Sequence, residues 1–419
     1  MREGLFQVLP SVAREVEGRL EVENDFGESL RLYTENFDSV VIACPITTDI
    51  SDSGLRRCQS IADLPWSSKV RFVPLPEVSP VERLKNLYAV KQLLKLEIER
   101  AGYLLFSPYA LAGDWPTIAV HEAIKSERPY AIDADVVYEQ VGQASWTRNN
   151  IVKRALKKKI LPPLFQRSYR YCLKHSSLAL LQGQDVYNSY SPFCRNPHKT
   201  HHMPISKDDF ISESDLHIKS ESLSGTRALK ICYVGRVIDM KGPSDWLQCI
   251  NELKKNGVNL SATWLGDGSL LATMQRMSES YGLADTVTFA GYVSDRSYIF
   301  RTLRDSDIFL FCHKTSESPR CLIESLASGC PLVGYGSEYP KELTATHGGG
   351  RFVPVGNWKE LADLVIHLNK NRQELREMVK LAGISGRVFE RDVTMQHRID
   401  LIKEHLKPGG VQSKLAQSL

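Results

Sequence analysis

The sequence predicts an α/β protein made of two halves, each a parallel sheet covered by helices. Three features carry that expectation. Short apolar runs of strand length alternate with longer stretches of helical period. A polar, Ser-rich segment at 203–228 interrupts the alternation, which then restarts. The 419 residues leave room for about two to four domains at roughly 100–200 residues each.

In the first half, residues 39–45 form an apolar run closed by Pro45, the pattern of a buried strand, and residues 70–74 form a second. Ser79–Pro80–Val81–Glu82 has the form of a helix start and leads a periodic stretch to Ile98. Tyr103–Phe106 reads as a strand, 116–127 as a helix, and 130–133 and 177–181 as strands. The segment 203–228 reads as a domain linker. In the second half, strands are expected at Leu229–Val234, 262–265, 287–289, Ile308–Phe311 and 331–334, with a helix starting near 243. Residues 358–407 read as helical, broken near Gly383 and again near Asp392, and the tail 408–419 as frayed.

Composition excludes several classes. Hydrophobic residues are 42% and charged residues 24%, which argues against disorder, collagen and a disulfide scaffold. Mean hydropathy is −0.25, and no apolar run approaches the roughly 18–20 residues of a membrane-spanning helix. The N-terminal residues carry scattered charges and no sustained apolar core, unlike a secretory signal. Nine widely spread cysteines with no C-x-x-C pair read as reduced thiols of a cytoplasmic protein. A net charge of +4 gives no general argument for nucleic acid.

The chemistry concentrates in the second half. Gly235–Arg236 follows a strand, and Lys241 stands five residues beyond Arg236. Two cations at a strand's carboxyl end suit a diphosphate, Arg as a planar fork and Lys as a compact charge; the plainer alternative is two solvated charges on a loop. Further on, Pro319 occupies what reads as a first helical position. The first-turn N–H groups around Arg320, Cys321 and Leu322 would then face an anion. Glu324, one turn further in, can accept from two vicinal hydroxyls such as those of a ribose.

The ordered set GRVIDMKG, WLGDGSL, TFAGYV and SESPRCLIESLASGCPLVGY resembles retaining glycosyltransferase family 4, of the GT-B fold, over about residues 229–390. The resemblance implies two Rossmann-like domains facing each other across a cleft. These would be an acceptor domain over 1–215, a nucleotide-sugar domain over 216–390, and a last helix, about 391–407, returning to the first domain. It implies that Gly235, Arg236 and Lys241 bind the donor diphosphate and that Glu324 binds the ribose. The family's E-x7-E spacing places Ser316 at its first glutamate, whereas Glu317 gives E-x6-E. Either the loop bulges so that Glu317 reaches the donor sugar, or Ser316 or Ser318 contacts it. The implied chemistry is transfer of a hexosyl group from a nucleoside diphosphate sugar with retention, and with neither metal nor other cofactor. Asp133–Ala134–Asp135 spells D-x-D but lies in the first half, where Asp133 or Asp135 would orient the acceptor rather than bind metal. The family's glycine-rich turn has a poor counterpart at Asn24–Asp25–Phe26–Gly27–Glu28, whose acidity suits no phosphate.

From Gln140 to Gln184 there is no Asp or Glu but nine Lys and Arg, from Arg148 to Lys174. Val152, Leu156 and Ile160 recur every four residues, a helical stripe expected to end at Pro162–Pro163. A basic amphipathic helix of this kind fits an anionic membrane surface at the inner face of a membrane, an anionic acceptor, or a solvated face. His198, His201 and His202 read as loop polarity. The expected partners are thus a nucleotide-sugar, a glycan or lipid-linked acceptor and possible membrane lipid through residues 148–174, with no nucleic acid. Alternative readings are a sugar-nucleotide epimerase of the same architecture and a degenerate nucleotide-sugar-binding module.

Overall fold

A computed structural model of the chain describes residues 3–10, 13–47, 58–76, 80–108, 114–137, 151–201, 205–223, 227–315 and 317–406. Two compact units emerge, Met1–His202 with Asp392–Leu419, and Met203–Arg391. The first contains strands β1 (Leu5–Val8), β2 (Ala13–Val16), β3 (Arg19–Glu23), β4 (Val40–Thr47), β5 (Cys58–Ser60), β6 (Val70–Leu75), β7 (Tyr103–Phe106), β8 (Ala131–Ala134), β9 (Leu178–Gln182) and β10 (Pro197–Thr200). Its helices are α1 (Asn24–Asn36), α2 (Pro80–Arg100), α3 (Trp115–Lys125), α4 (Ile151–His175) and α5 (Gly183–Tyr190). The second contains β11 (Leu229–Val234), β12 (Leu260–Leu265), β13 (Val287–Gly291), β14 (Ile308–Phe311), β15 (Leu332–Tyr335) and β16 (Gly350–Val353). Its helices are α6 (Glu213–Glu221), α7 (Pro243–Lys255), α8 (Leu271–Ser280), α9 (Arg296–Asp305), α10 (Arg320–Ala327), α11 (Glu338–Thr344), α12 (Trp358–Lys370) and α13 (Arg372–Arg387), and α14 (Arg391–His405) follows.

In the first unit the strands run β10-β9-β8-β7-β1-β4-β2-β3-β5, with β6 also paired to β4. The path β6-β4-β1-β7-β8-β9-β10 is parallel throughout. Parallel strands covered on both faces read as continuous apolar runs, and β1, β7 and β9 are buried at every residue. Along β1, Phe6 and Val8 enter one core and Leu5 the other, the two-residue period of a strand. Met395, Ile399 and Ile402 of α14 belong to the same core as Leu5, Ile42 and Leu105.

The second unit is a parallel six-stranded sheet in the order β13-β12-β11-β14-β15-β16. This is the order of a doubly wound nucleotide-binding sheet, and its direction reverses between β11 and β14. Ligands of such sheets bind outside the carboxyl ends of the strands at that reversal.

Several expectations from sequence need correction. Residues 205–223 are not a linker: they carry α6, and Ile205, Ile211, Leu216 and Leu223 lie in the core of the second unit. The division falls at His202/Met203 rather than 215/216 because these scattered apolar residues, masked by Ser and Asp neighbours, pack on α10 and α13. Gly383 does not break a helix. It lies buried inside α13, where an added Cβ would come 2.6 Å from Leu216 Cδ2. A glycine costs a helix only about 1 kcal/mol, and close approach of α6 outweighs it. The actual breaks fall at Asn371 and at 388–390. Helix α4 runs through Pro162–Pro163 to His175, its second half anchored by buried Tyr169, Cys172 and Leu173. Asn24–Glu28 is no turn but the start of α1. The tail 408–419 lies outside the described residues.

Candidate functional site

The reversal between β11 and β14 is built by loops locked together through their backbones. After β11, Gly235 N–H donates to Leu265 at the end of β12, and Val237 N–H donates to Asp267. Gly266 must be glycine, because a Cβ would lie 2.0 Å from the Gly235 carbonyl oxygen. Residues 239–241 make one 3₁₀ turn, and Gly242 then takes a left-handed conformation, φ 63°, as the N-cap of α7. A Cβ there would meet the Cys312 carbonyl oxygen at 2.1 Å, so this turn lies flat on the end of β14. Lys314 N–H donates to the Met240 carbonyl at 2.9 Å, tying the loop after β14 to the loop after β11.

That tie places Lys241 against Glu317. The Nζ to Oε1 distance is 2.6 Å, and the two side chains are 9% and 12% exposed. An ion pair withdrawn this far from water is strong once formed and costly to break on one side. Arg236, at the other end of the same loop, is exposed. Two of the three groups read as catalytic, Lys241 and Glu317, are therefore in direct contact, and Arg236 shares their loop system.

Pro319 is the N-cap of α10, and the helix starts at Arg320, one residue later than the sequence suggests. The Leu322 N–H donates to the Pro319 carbonyl at 3.3 Å, and its side chain is core, so Leu322 offers a ligand little. Cys321 is half-buried; burial pushes its thiol up to about 12 against the opposing pull of the Lys241 charge, so it stays protonated. Ser318 and Arg320 flank this turn, whereas Ser316 lies outside the described residues. Glu324 is 15% exposed and receives Arg296 Nη1 on Oε1 at 3.4 Å.

Three participants escape a reading of the sequence. His313 is buried beneath the Lys241–Glu317 pair. Its Nε2 is 2.8 Å from the Tyr233 hydroxyl, and its Nδ1 is 4.0 Å from Glu317. Burial, and then the Lys241 charge, hold its pKa well below 6.5, so the imidazole is neutral. Tyr233 in turn supports the strand end, since a Cβ on Gly235 would lie 2.7 Å from its hydroxyl. Arg296 and its partner Asp209 are the others. The sequence signal for His313 was a titratable residue at the end of an apolar strand; for Arg296 and Asp209, 87 residues apart, there was none.

The first-half candidates behave differently. Asp133 pairs at 2.6 Å with Arg398, whose side chain is fully buried and also donates to Thr200 Oγ1 at 3.0 Å. Asp133 is thus engaged in anchoring α14 within its unit. Asp135 is exposed beyond the end of β8. Among the described residues no three His, Cys, Asp or Glu side chains are grouped to hold a metal. His198 contacts Asn196 and packs against His405, and His202 lies outside the described residues. Of the basic stretch, Arg148 lies outside the described residues, and side chains are described from Pro163 onward. There Leu164, Arg167, Arg170, Tyr171 and Lys174 are exposed. No described helix is long and apolar enough to cross a membrane.

A trough of about 700 Å³ touches Lys219, Arg227, Lys230, Arg304 and Asp307. It lies at the amino end of β11, away from the reversal. Two of its cations are engaged within the unit: Arg227 forks Asp307, and buried Lys219 donates to the Leu303 and Ser328 carbonyls. We read it as structural.

Residues 216–384 match the family model of glycosyl transferases group 1. An alpha-D-kanosaminyltransferase of Streptomyces kanamyceticus is 21% identical over 224 residues, 52% of this chain and 58% of that protein. The putative colanic acid biosynthesis glycosyltransferase WcaL of Escherichia coli K12 is 27% identical over 161 residues, 37% and 39% of the two chains. The match thus spans less than two thirds of the length of these curated relatives. In structure, Anabaena HepE in complex with UDP superposes with a TM-score of 0.68 at 14% identity, covering 96% of this chain and 100% of that one. At that identity the likeness establishes the fold, which is GT-B. The match to group 1 glycosyl transferases falls within the second unit, the one whose sheet reversal carries Arg236, Lys241 and Glu317.

Proposed function

We propose that the chain transfers a hexosyl group from a nucleoside diphosphate sugar to a glycan or lipid-linked acceptor, with retention and without metal. The observation that carries this reading is the Lys241–Glu317 pair at the sheet reversal, beside Arg236 and the first turn of α10. Arg236, Lys241 and that helix terminus would neutralise the diphosphate as the bond from the anomeric carbon to the phosphate oxygen breaks. The acceptor hydroxyl would attack from the same face and pass its proton to the leaving phosphate oxygen, so no strong base is needed. Lys241 has three N–H donors, enough to hold Glu317 and a phosphate oxygen together. Glu317, fixed by Lys241 and the neutral His313 below it, would then meet the sugar hydroxyls. Ser318, Arg320 and Cys321 would border the donor, and Asp135 the acceptor.

UDP is the first probe, because HepE binds it. Calorimetry should show UDP binding to the wild type and a loss of about ten- to a hundredfold in Lys241→Gln, as expected for removing a charge-assisted bond. Equal affinity of the two proteins would sink the donor assignment. Transfer should survive EDTA, and the product's anomeric configuration, read by NMR, should match the donor's. Inversion, or abolition by EDTA, would refute the corresponding part.

We also propose that α4 lies on an anionic membrane surface, supported by its basic, acid-free sequence and by exposed Leu164 and Tyr171. Each cation near such a surface contributes about 1 kcal/mol. Replacing Lys157, Lys158 and Lys159 with Glu should release the protein from phosphatidylserine vesicles; unchanged co-sedimentation would discard the idea.

A further inference from the structure

The loop that precedes α6 reaches the candidate site through a chain of polar contacts. Asp209 is set first: its carboxylate accepts the Ser206 N–H at 2.8 Å and the Ser206 hydroxyl at 3.1 Å, a reciprocal capping box. Arg296, the first residue of α9, forks onto Asp209 with Nη2 at 2.9 Å and Nε at 3.4 Å. Its guanidinium lies over the Phe300 ring, 4.7 Å from the centroid, which fixes the plane of the fork. The remaining arm, Nη1, reaches Glu324 Oε1 at 3.4 Å. Burial works to raise the Asp209 pKa, but Arg296 and Ser206 outweigh it and hold it below the ordinary value, so the brace stays charged.

A carboxylate on a helix is poorly fixed about its last torsion, which is broad and two-fold. Two vicinal hydroxyls make a matched pair of bonds only to a carboxylate whose plane is set. One donor on Oε1 sets that plane and uses one of about four lone-pair sites. An ionised carboxylate is purely an acceptor, which suits two donating hydroxyls. We propose that Arg296, braced by Asp209, is a positioning residue that orients Glu324 toward the ribose hydroxyls of the donor nucleotide, so that the pair discriminates ribose from deoxyribose. This rests on the reading of the site as a nucleotide-sugar site.

The test compares UDP, GDP and ADP with their 2′-deoxy counterparts by calorimetry on the full chain, using the base that binds best. The wild type should prefer the ribonucleotide by about tenfold or more. In Arg296→Ala the ratio should fall to about one, with the deoxynucleotide affinity within a factor of two of the wild type. Arg296→Lys, which keeps a point charge but not the fork, should restore part of the ratio. A purely structural arginine would weaken both nucleotides equally and leave the ratio alone, and that result overturns the proposal. A wild type that binds nucleotide but shows no ribose preference overturns both this proposal and the role of Glu324. In that case, loss of binding in Lys241→Gln would still leave the diphosphate assignment standing. A wild type that binds no nucleotide overturns the site reading, and this inference with it.

Discussion

The two units share one strand order and differ at its reversal. Outward from β1 run β4 and β6 on one side and β7 to β10 on the other; outward from β11 run β12 and β13, then β14 to β16. Yet the chain after β11 enters Gly235–Arg236 and a tight cationic turn, while the chain after β1 enters Leu9–Pro10 and leads into the β2–β3 hairpin on the sheet. Each unit also holds a buried ion pair of matching length, 2.6 Å. In the second unit it sits at the sheet reversal, Lys241–Glu317; in the first it ties α14 to β8, Arg398–Asp133. A shared topology thus fixes where a ligand can bind, and the residues at the strand ends decide whether one does.

The sharpest way to break this comparison is to cut both pairs. Arg398 is wholly buried, so Arg398→Ala strands Asp133 and should destabilise the first unit by about 3–5 kcal/mol. Nucleotide affinity of the folded protein should be unchanged, since no donor group is touched. Denaturant midpoints and calorimetry on the same samples check this; reduced affinity at full folding would show the pair to be functional.

Lys241→Gln should cost less stability, because glutamine fills most of the lysine's space and can still donate to Glu317, whereas Arg398→Ala also empties a fully buried site; but it should cost affinity as well. The double variant Lys241→Gln/Glu317→Gln removes the stranded charge and should recover much of the stability, without recovering UDP binding. The matching repair in the first unit, Arg398→Met with Asp133→Asn, should leave affinity intact throughout. If the repaired Lys241 variant also bound UDP normally, the two pairs would be equivalent and the functional distinction would fail.

How much of this was legible in the sequence follows the same divide. In the second unit β11 to β15, Arg236, Lys241 and Glu324 could be placed, because a local apolar run marks each of these strands, whereas the short β16, GRFV, carries no such run. Glu317 could be named as a candidate but not chosen over Ser316, because its pairing depends on how the loops after β11 and β14 meet. The brace through Asp209 and Arg296 was hidden for the same reason: tertiary packing joins distant segments and turns a Ser-rich stretch into core. In the first unit, β1, the hairpin and β10 carry weak or short patterns, and the meaning of Asp133 lay with Arg398, on a helix 265 residues away.

The smallest effect distinguishes two histidines. His313 in the second unit is buried and neutral, held well below 6.5 by burial and then by Lys241. His121 in the first is half-buried, its pKa also lowered by burial and then by Lys125. For a histidine whose folded pKa is depressed, the unfolded chain takes up a proton below about 6.5 while the folded one does not. The stability it supports is therefore complete above that pH and declines as pH falls toward the folded value. For one proton the slope reaches about 1.4 kcal/mol per pH unit. Between pH 6.5 and 5, His313→Asn should flatten the decline in stability of the second unit, while His121→Asn should change that of the first far less, because water reaches its ring. Urea midpoints followed by Trp246 and Trp264 fluorescence, with Trp115 reporting the other unit, would read the two limbs. An unchanged slope in His313→Asn would mean that the ring is hydrated and charges freely, and would remove the neutral floor beneath Glu317.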